Sequence, residues 1–120
     1  MNNRETGNLA EKKAAEFLQS LGYTILCKNY CIRGGEIDII FLDKDTVCFC
    51  EVKFRKDDRF GTPAEAVTKS KQKRLSAAAV KYLYENDMLE KNCRFDVIEI
   101  AGVGIITINH IKNAFEFIEA

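Results

Sequence analysis

The sequence predicts an α/β fold, with a mixed β-sheet flanked by helices in a single domain over residues 1–120. Three observations carry this prediction. A chain of 120 residues has the length of one domain. Its 47% hydrophobic and 30% charged residues are typical of a globular protein rather than a disordered one. Helical and strand-like segments follow the order α-β-β-β-α-β-β-α, which indicates helices packed on a sheet.

The N-terminal half of the chain predicts one helix followed by three strands. Over residues 8–21, apolar residues recur at helical spacing, and Gly22 is typical of a residue that ends a helix. Residues 23–28, 36–42 and 46–54 are short apolar runs rich in β-branched and aromatic residues, so each predicts a strand. The segments between the strands, at residues 33–35 and 43–45, predict turns.

The C-terminal half predicts a long helix, two strands and a final short helix. Thr62-Pro63-Ala64-Glu65 is a helix start, because Thr can cap, Pro suits the first helical position and Glu completes a capping box. The helical pattern continues to Glu85, with a break expected near residues 68–70. Residues 94–100 and 103–109 predict two strands, and residues 110–118 predict the terminal helix.

Charge is unevenly distributed along the chain, although the net charge is zero. Residues 53–81 carry 9 basic and 3 acidic groups, whereas residues 1–52 and 82–120 have net charges of −2 and −4. A local basic patch favours phosphate binding even without an overall positive charge. The basic residues of the second helix are Lys69, Lys71, Lys73, Arg74 and Lys81, with no acidic residue between positions 66 and 84. This pattern favours phosphate contact over an ordinary solvated face.

Other features argue against several classes of protein. No apolar run is long enough to cross a membrane, and the first residues lack the apolar stretch of a signal peptide. No membrane partner is therefore expected. Five cysteines, an odd number, predict reduced thiols and a cytoplasmic location, and their spacing is poor for structural zinc. His110 is the single histidine, which argues against histidine-rich metal sites and serine–histidine catalysis.

Charged residues interrupt two apolar strands, and this is the most informative feature of the sequence. Asp38 lies within the second strand, and Glu51 and Lys53 lie within the third. If these strands form a tight hairpin with Lys44-Asp45 at its tip, Asp38 faces Glu51. Two opposed carboxylates repel each other unless a cation lies between them. Because Mg²⁺ prefers oxygen ligands, the two carboxylates and the lysine suit phosphodiester hydrolysis.

Two further polar side chains are assigned to the same site, and simpler interpretations stay open. Glu11 lies at the edge of the apolar stripe of the first helix, where it either reaches the sheet or compensates the helix dipole. Gln72 lies on the apolar stripe of the second helix and either contacts the carboxylates or packs at the helix edge. The alternative for the strand residues is a solvated ion pair of Lys53 with Asp38 or Glu36.

Taken in order along the chain, these residues resemble the motifs of a known family. The motifs are Gly7-x-x-Ala10-Glu11, Arg33-Gly34-Gly35-Glu36-Ile37-Asp38, Glu51-Val52-Lys53-Phe54-Arg55, Gly61-x-Pro63-x-Glu65-Ala66-Val67 and Lys71-Gln72-Lys73-Arg74-Leu75. Asp38, followed thirteen residues later by Glu51-Val52-Lys53, is similar to the PD-(D/E)xK nuclease pattern. The complete series covers nearly the whole chain and resembles the bacterial YraN-like family, which is related to archaeal Holliday junction resolvases.

The resemblance implies a restriction-endonuclease-like fold and nuclease chemistry that depends on Mg²⁺ or Mn²⁺. Carried over by position, Asp38 and Glu51 would be metal ligands and Lys53 the catalytic lysine. Glu11 would match the helix carboxylate of the resolvases, and Gln72 a polar residue of the following helix. Ile37 replaces the proline of the pattern, a departure that the resolvase branch tolerates. The residues assigned to nucleic-acid binding are Arg33, Arg55, Lys69, Lys71, Lys73 and Arg74.

The resulting hypothesis is a metal-dependent DNA endonuclease that hydrolyses phosphodiester bonds, with branched or single-stranded DNA as its partner. Resolvase relatives act as dimers because two strands must be cut symmetrically, so a homodimer is expected by analogy. Two alternatives stay open. One is a nucleic-acid-binding module that keeps the fold without cutting. The other is a protein-interaction module that uses the acidic residues 82–120.

Overall fold

A five-stranded mixed sheet with one helix on each face forms the protein, in a computed structural model that describes residues 3–55 and 67–119. The elements are α1 (Asn3–Ser20), β1 (Thr24–Ile32), β2 (Gly35–Asp43), β3 (Thr46–Arg55), α2 (Lys69–Glu85), β4 (Cys93–Ala101) and β5 (Thr107–Phe115). The strands are arranged β1-β2-β3-β4-β5, with β3 and β4 parallel and the other neighbours antiparallel. The parallel pair with its helical crossover confirms the predicted mixed α/β fold.

Each face of the sheet is covered by a different helix. On one face, α1 packs against Ile39, Phe41, Cys48, Cys50, Ile98 and Ile100. On the other face, α2 packs against Ile37, Ile40, Val47, Phe49, Phe95 and Val97. Since successive strand residues point to opposite faces, the central strand β3 is buried on both sides and is nearly continuously apolar. The five cysteines are free thiols, and Cys48 and Cys50 are buried as small apolar residues.

The helix boundaries follow local sequence signals. The amide of Gly22 (φ +90°) donates to Gln19 O, and that of Tyr23 donates to Leu18 O, so a Schellman motif ends α1 where the glycine predicts it. The helix begins at Asn3, five residues before the predicted start, and no proline lies there to prevent this. The Oγ1 of Thr68 accepts from the amide of Lys71 and caps α2, so a helix begins at the position where the sequence predicts a break. The predicted helix start at residues 62–65 lies outside the described residues.

The hairpin between β2 and β3 has the register that the sequence predicts. Asp43 pairs with Thr46, and Ile39 pairs with Cys50 four residues further along each strand. The tight turn is possible because Lys44 adopts a left-handed conformation (φ +54°). This register brings Asp38, the neighbour of Ile39, and Glu51, the neighbour of Cys50, to the same end of the sheet.

The C-terminal segment differs from its prediction. The sequence predicts a strand over residues 103–109 and a helix over residues 110–118, but β5 begins at Thr107 and continues to Phe115. The predicted terminal helix is therefore wrong. Strand pairing prevails because β4 offers an unpaired edge, and Asp96 Oδ1 accepts from the amide of Asn113 at a bulge. Beyond the strand, the amide of Ile118 donates to the buried hydroxyl of Ser76 in α2.

The turn between β1 and β2 places Gly34 in the left-handed region of backbone conformation, with φ +87°. We expect Gly34→Ala to lower the free energy of unfolding by about 1–2 kcal/mol, because a Cβ is strained in the left-handed region. Urea denaturation measures this change. Gly7→Ala in α1 is the matched control, because a Cβ at Gly7 would meet nothing within 4 Å. This substitution should raise the free energy of unfolding by about 0.5–1 kcal/mol. Equal effects of the two substitutions would contradict this account.

Candidate functional site

The ladder between β2 and β3 ends where acidic residues begin. Beyond the pair Ile39–Cys50, the Asp38 side chain replaces the backbone as the partner of β3, and its Oδ2 accepts from the amide of Val52 at 2.8 Å. Asp38 is thereby held in one orientation between the two strands. The opening between the strand ends is the position at which α1 and α2 bring further charged side chains to the sheet.

Three carboxylates converge at this opening. Glu11 of α1 and Glu36 and Asp38 of β2 each contribute an oxygen, and these atoms all lie within 4.8 Å of one another. With its side-chain nitrogen turned toward the carboxylates, Asn29 donates to Glu11 Oε2 at 2.9 Å and to Glu36 Oε1 at 3.2 Å. Like charges this close repel each other, so the cluster favours a bound proton or cation. The structure thus places Glu11 at the sheet. Because α1 begins at Asn3, Glu11 lies beyond the first turn, which is the part of the helix in which a carboxylate would compensate the dipole.

A fourth carboxylate, Glu51 of β3, lies beside two ammonium groups. Its side chain is only 5% exposed, and its Oε1 lies 3.5 Å from Lys53 Nζ and 2.5 Å from Lys71 Nζ. A carboxylate this deeply buried is costly unless it is paired, and the two lysines supply that pairing. Lys71 comes from the first turn of α2, at the amide capped by Thr68, so the start of that helix determines where its ammonium group lies.

An open cavity of about 220 Å³ joins the carboxylates to the start of α2. It is lined by Gly34, Gly35, Glu36, Asp38, Glu51, Lys71, Arg74 and Leu75. The close approach of the β1–β2 turn to α2 closes one side, because a Cβ on Gly35 would lie 3.2 Å from the carbonyl oxygen of Arg74. The cavity therefore has acidic groups at its base and basic groups at its rim.

Burial and mutual repulsion shift the acidity of the cluster. Burial, followed by the negative charge of Glu51, raises the pKa of Asp38 to about 8, although the hydrogen bond from Val52 opposes the shift. Burial and the charge of Glu36 also raise the pKa of Glu11. Burial lowers the pKa of Lys71, but the hydrogen bond and charge of Glu51 outweigh it, and the net shift is upward. At neutral pH the site therefore holds a proton that a cation would displace.

The raised pKa of Asp38 predicts the pH dependence of the metal-free protein. Between its ordinary value of 3.8 and about 8, the folded state binds a proton that the unfolded state has released. The free energy of unfolding therefore falls as the pH rises through this window. Melting temperatures in EDTA from about pH 5 to about pH 9 measure this fall, which should be shallower in Asp38→Asn. Identical slopes for the two proteins would contradict the assignment.

The residues assigned to nucleic-acid binding occupy three different environments. Lys69, Lys73 and Arg74 lie exposed on α2, and Arg33 is exposed in the turn beside that helix. Lys71 instead turns into the cavity and contacts Glu51. Arg55 is mostly buried, and its Nε lies 3.0 Å from the Oε2 of the buried Glu99. Four of the six assigned residues thus present charge to solvent on the side of α2.

Gln72 is buried, as its position on the apolar stripe predicts. Its Nε2 donates to the backbone carbonyl of Val67 at 2.9 Å, so it holds the chain that enters α2. Gln72, like Glu11 and Lys53, is not among the described residues that line the cavity, and the hydrogen bond that it makes is to the backbone rather than to a carboxylate. The structure therefore supports a role in positioning the start of α2 and brings Asp38, Glu51, Glu11 and Lys71 together without it.

Two site residues were not assigned to the site by the sequence. Glu36 joins the carboxylate cluster, and a signal for it exists, because residues two apart on a strand share a face and Glu36 precedes Asp38 by two. Lys71 was assigned to DNA contact through its place in a basic helix. Nothing in the spacing along that helix distinguishes it from Lys69 or Lys73, since its position depends on how α2 packs on the sheet.

The fold and the site define a small α/β protein with a carboxylate and lysine cluster at the end of its central strands. Of the described helices, neither is apolar enough over a sufficient length to cross a membrane. The chain belongs to the uncharacterised protein family UPF0102, whose profile matches residues 10–100. This match confirms the YraN-like resemblance at the level of the family.

Curated relatives match the chain over nearly its whole length. A UPF0102 protein of Caldicellulosiruptor saccharolyticus is 44% identical over 120 residues, covering 96% of this chain and 100% of the relative. One from Clostridioides difficile is 44% identical over 115 residues, with coverage of 96% and 100%. One from Chlorobium chlorochromatii is 45% identical over 118 residues, with coverage of 92% and 91%. The similarity thus includes the segments that build the site.

Proposed function

We propose that this protein is a divalent-metal-dependent endodeoxyribonuclease that hydrolyses phosphodiester bonds, with branched DNA as its preferred substrate. The observation that carries the proposal is the convergence of Glu11, Glu36 and Asp38. The cavity that Glu36 and Asp38 line also contains the buried Glu51, which lies beside Lys53 and Lys71. Partly buried carboxylates that repel one another next to ammonium groups are characteristic of functional sites, where perturbed pKa values are concentrated. The resemblance of the site to the PD-(D/E)xK pattern supports the same chemistry.

The donor set fits a hard divalent cation. Carboxylate oxygens are the ligands that Mg²⁺ and Mn²⁺ prefer, and the cluster contains neither thiol nor imidazole groups among its described members. Asp38 and Glu51 would hold the cation, and Glu11 and Glu36, whose oxygens lie within 4.8 Å of an oxygen of Asp38, would be available as further ligands. When bound, such an ion polarises a phosphoryl oxygen and favours deprotonation of the attacking water.

The remaining residues position the substrate and stabilise charge. Lys53 Nζ, 3.5 Å from Glu51 Oε1, stabilises the negative charge that develops on the phosphate oxygens as water attacks in line and the P–O ester bond breaks. Arg74 lies at the rim of the cavity, where it contacts the DNA backbone next to the scissile phosphate. Lys69, Lys73 and Arg33 extend this contact along α2, and such contacts position DNA without reading its sequence.

Cleavage of labelled DNA tests the proposal. Four-way junctions, single strands and linear duplexes are incubated with Mg²⁺, Mn²⁺ or EDTA, with the wild-type protein and Lys53→Ala side by side. We expect cutting that requires the metal, is strongest on branched DNA and falls by about 100-fold in Lys53→Ala. Lys44→Ala is the matched control, because Lys44 is an exposed lysine of the distant β2–β3 turn.

Two outcomes would overturn parts of the proposal. Cutting that persists in EDTA, or at the full rate in Lys53→Ala, would exclude this site as the source of the activity. DNA binding without any cleavage by the wild-type protein would instead favour a nucleic-acid-binding module. The homodimer stays a prediction by analogy, and light scattering of the protein with and without a junction tests it.

A further inference from the structure

Lys71 occupies an unusual position for a residue of a basic DNA-binding face. Its ammonium group contacts the buried Oε1 of Glu51, yet its side chain is 37% exposed and lines the cavity. Lys53 approaches the same oxygen from β3 at 3.5 Å and is 27% exposed. One carboxylate oxygen is therefore shared by two ammonium groups from different elements.

This arrangement creates a competition for Glu51. A buried carboxylate is stabilised by the ammonium of Lys71 as long as no stronger cation is present. A divalent ion held by Asp38 and Glu51 needs the lone pairs that Lys71 uses, and it also repels the ammonium group. Of the two lysines, Lys71 is the one whose side chain can withdraw, because it is more exposed and its helix lies at the cavity rim beside Arg74.

The cavity provides a destination for the released ammonium group. Its volume of about 220 Å³ is large enough to hold several water molecules. A phosphodiester group that entered from the rim would lie between Arg74 and the carboxylates, because both line the cavity. An ammonium group that leaves Glu51 toward the rim then meets a phosphate oxygen, which restores its ion pair.

We propose that Lys71 is a positioning residue that neutralises Glu51 in the metal-free protein and transfers to the substrate phosphate when a divalent cation binds. This inference rests on the proposed metal site. It assigns Lys71 a role different from that of the neighbouring Lys73, which is exposed on the same helix and has the same charge. Metal binding and phosphate binding are then coupled through one side chain.

Binding of Mn²⁺ in the absence of DNA tests the competition. Free Mn²⁺ is followed by electron paramagnetic resonance in titrations of the wild-type protein, Lys71→Met and Lys73→Met. We expect Lys71→Met to bind Mn²⁺ about fivefold or more tightly, the effect of removing one like charge about 4 Å away in a solvated site. Lys73→Met should give a rise of less than about twofold, because its charge is screened by solvent. Equal increases in Mn²⁺ affinity in Lys71→Met and Lys73→Met would overturn the inference.

A second measurement tests the transfer to phosphate. The affinity for a short duplex is determined in EDTA and in Ca²⁺, with the wild-type protein and both variants. Lys71→Met should lose more affinity in Ca²⁺ than in EDTA, because Lys71 is free to contact phosphate only after a cation has bound. Lys73→Met should lose DNA affinity by the same factor in EDTA and in Ca²⁺. A loss for Lys71→Met that is equal in EDTA and Ca²⁺ would show an ordinary backbone contact.

The controls separate this inference from the proposed function. Asp38→Asn should lose Mn²⁺ binding, and if it binds Mn²⁺ as the wild-type protein does, the metal site itself is wrong. If Asp38→Asn loses the metal and Lys71→Met gains no affinity, only the role of Lys71 is wrong. Circular dichroism checks that the variants are folded, and Lys71→Gln, which keeps a polar side chain, replaces Lys71→Met if the latter is unfolded.

Discussion

Replacement of Asp38 by Asn is expected to reduce metal-dependent DNA cleavage by at least about 100-fold, the effect of removing one preorganised charged group from a site of this kind. In the proposed metal site, the amide lacks the negative charge that would hold a divalent cation. Its oxygen can still accept from the amide of Val52, which the carboxylate does at 2.8 Å, so the strand ends should keep their arrangement. Rates measured under single-turnover conditions separate this chemical effect from binding.

Binding of DNA provides the internal control for Asp38→Asn. In EDTA at neutral pH the variant should bind DNA within about twofold of the wild-type affinity, because the raised pKa of Asp38 already keeps that side chain mostly uncharged in the metal-free protein. Asp45→Asn is the matched substitution, since Asp45 is exposed in the turn at the other end of the same hairpin. It should cleave as the wild-type protein does. A cleavage rate of Asp38→Asn equal to that of Asp45→Asn would remove Asp38 from the site.

Replacement of Asp96 by Ala is expected to cost about 3–5 kcal/mol of the free energy of unfolding, as when one partner of a buried ion pair is removed. Asp96 is fully buried and accepts from Arg94 Nε at 3.0 Å, from the amide of Asn113 at 3.0 Å and lies 2.8 Å from His110 Nε2. Without it, the mostly buried guanidinium group of Arg94 keeps one ion pair within the described part of the chain, the salt bridge to Asp43.

Chemical denaturation measures the cost of Asp96→Ala. Burial raises the pKa of Asp96, but hydrogen bonds from His110, Arg94 and Asn113 outweigh it and lower the pKa below 3.8. The stabilisation is therefore present above this value and is lost as the pH falls below it, so the difference from the wild-type protein should shrink in acid. Glu116→Ala, at an exposed position after β5, should change stability by less than about 0.5 kcal/mol. A similar cost for both substitutions would contradict the buried network.

The central part of the fold and of the site could be predicted from local patterns. Apolar alternation and a tight turn determine the β2–β3 register, and the pair Asp43–Thr46 has the partners that the turn predicts. Because this register extends toward Asp38 and Glu51, the two carboxylates are directed to one end of the sheet. Both of them line the same cavity.

The C-terminal element shows why other features could not be predicted. The pattern of residues 110–118 is compatible with either a helix or a strand, and the local pattern led to the prediction of a helix. In the structure, most of this segment belongs to strand β5, because β4 provides backbone partners and the buried Asp96 accepts a hydrogen bond from the amide of Asn113. Neither contact is visible in a sequence window, since Asp96 and Asn113 are joined only through the sheet.

The sequence by itself determined the class of fold, the register of the central hairpin and the strand carboxylates with Lys53, because these depend on contacts between near neighbours in the chain. Only the tertiary structure decided that Lys71 turns inward while Lys73 faces solvent, and that Glu11 reaches Glu36 and Asp38. Those choices depend on how α1 and α2 lie against the sheet. The packing of apolar residues far from the charged groups determines that arrangement, so no local charge pattern contains it.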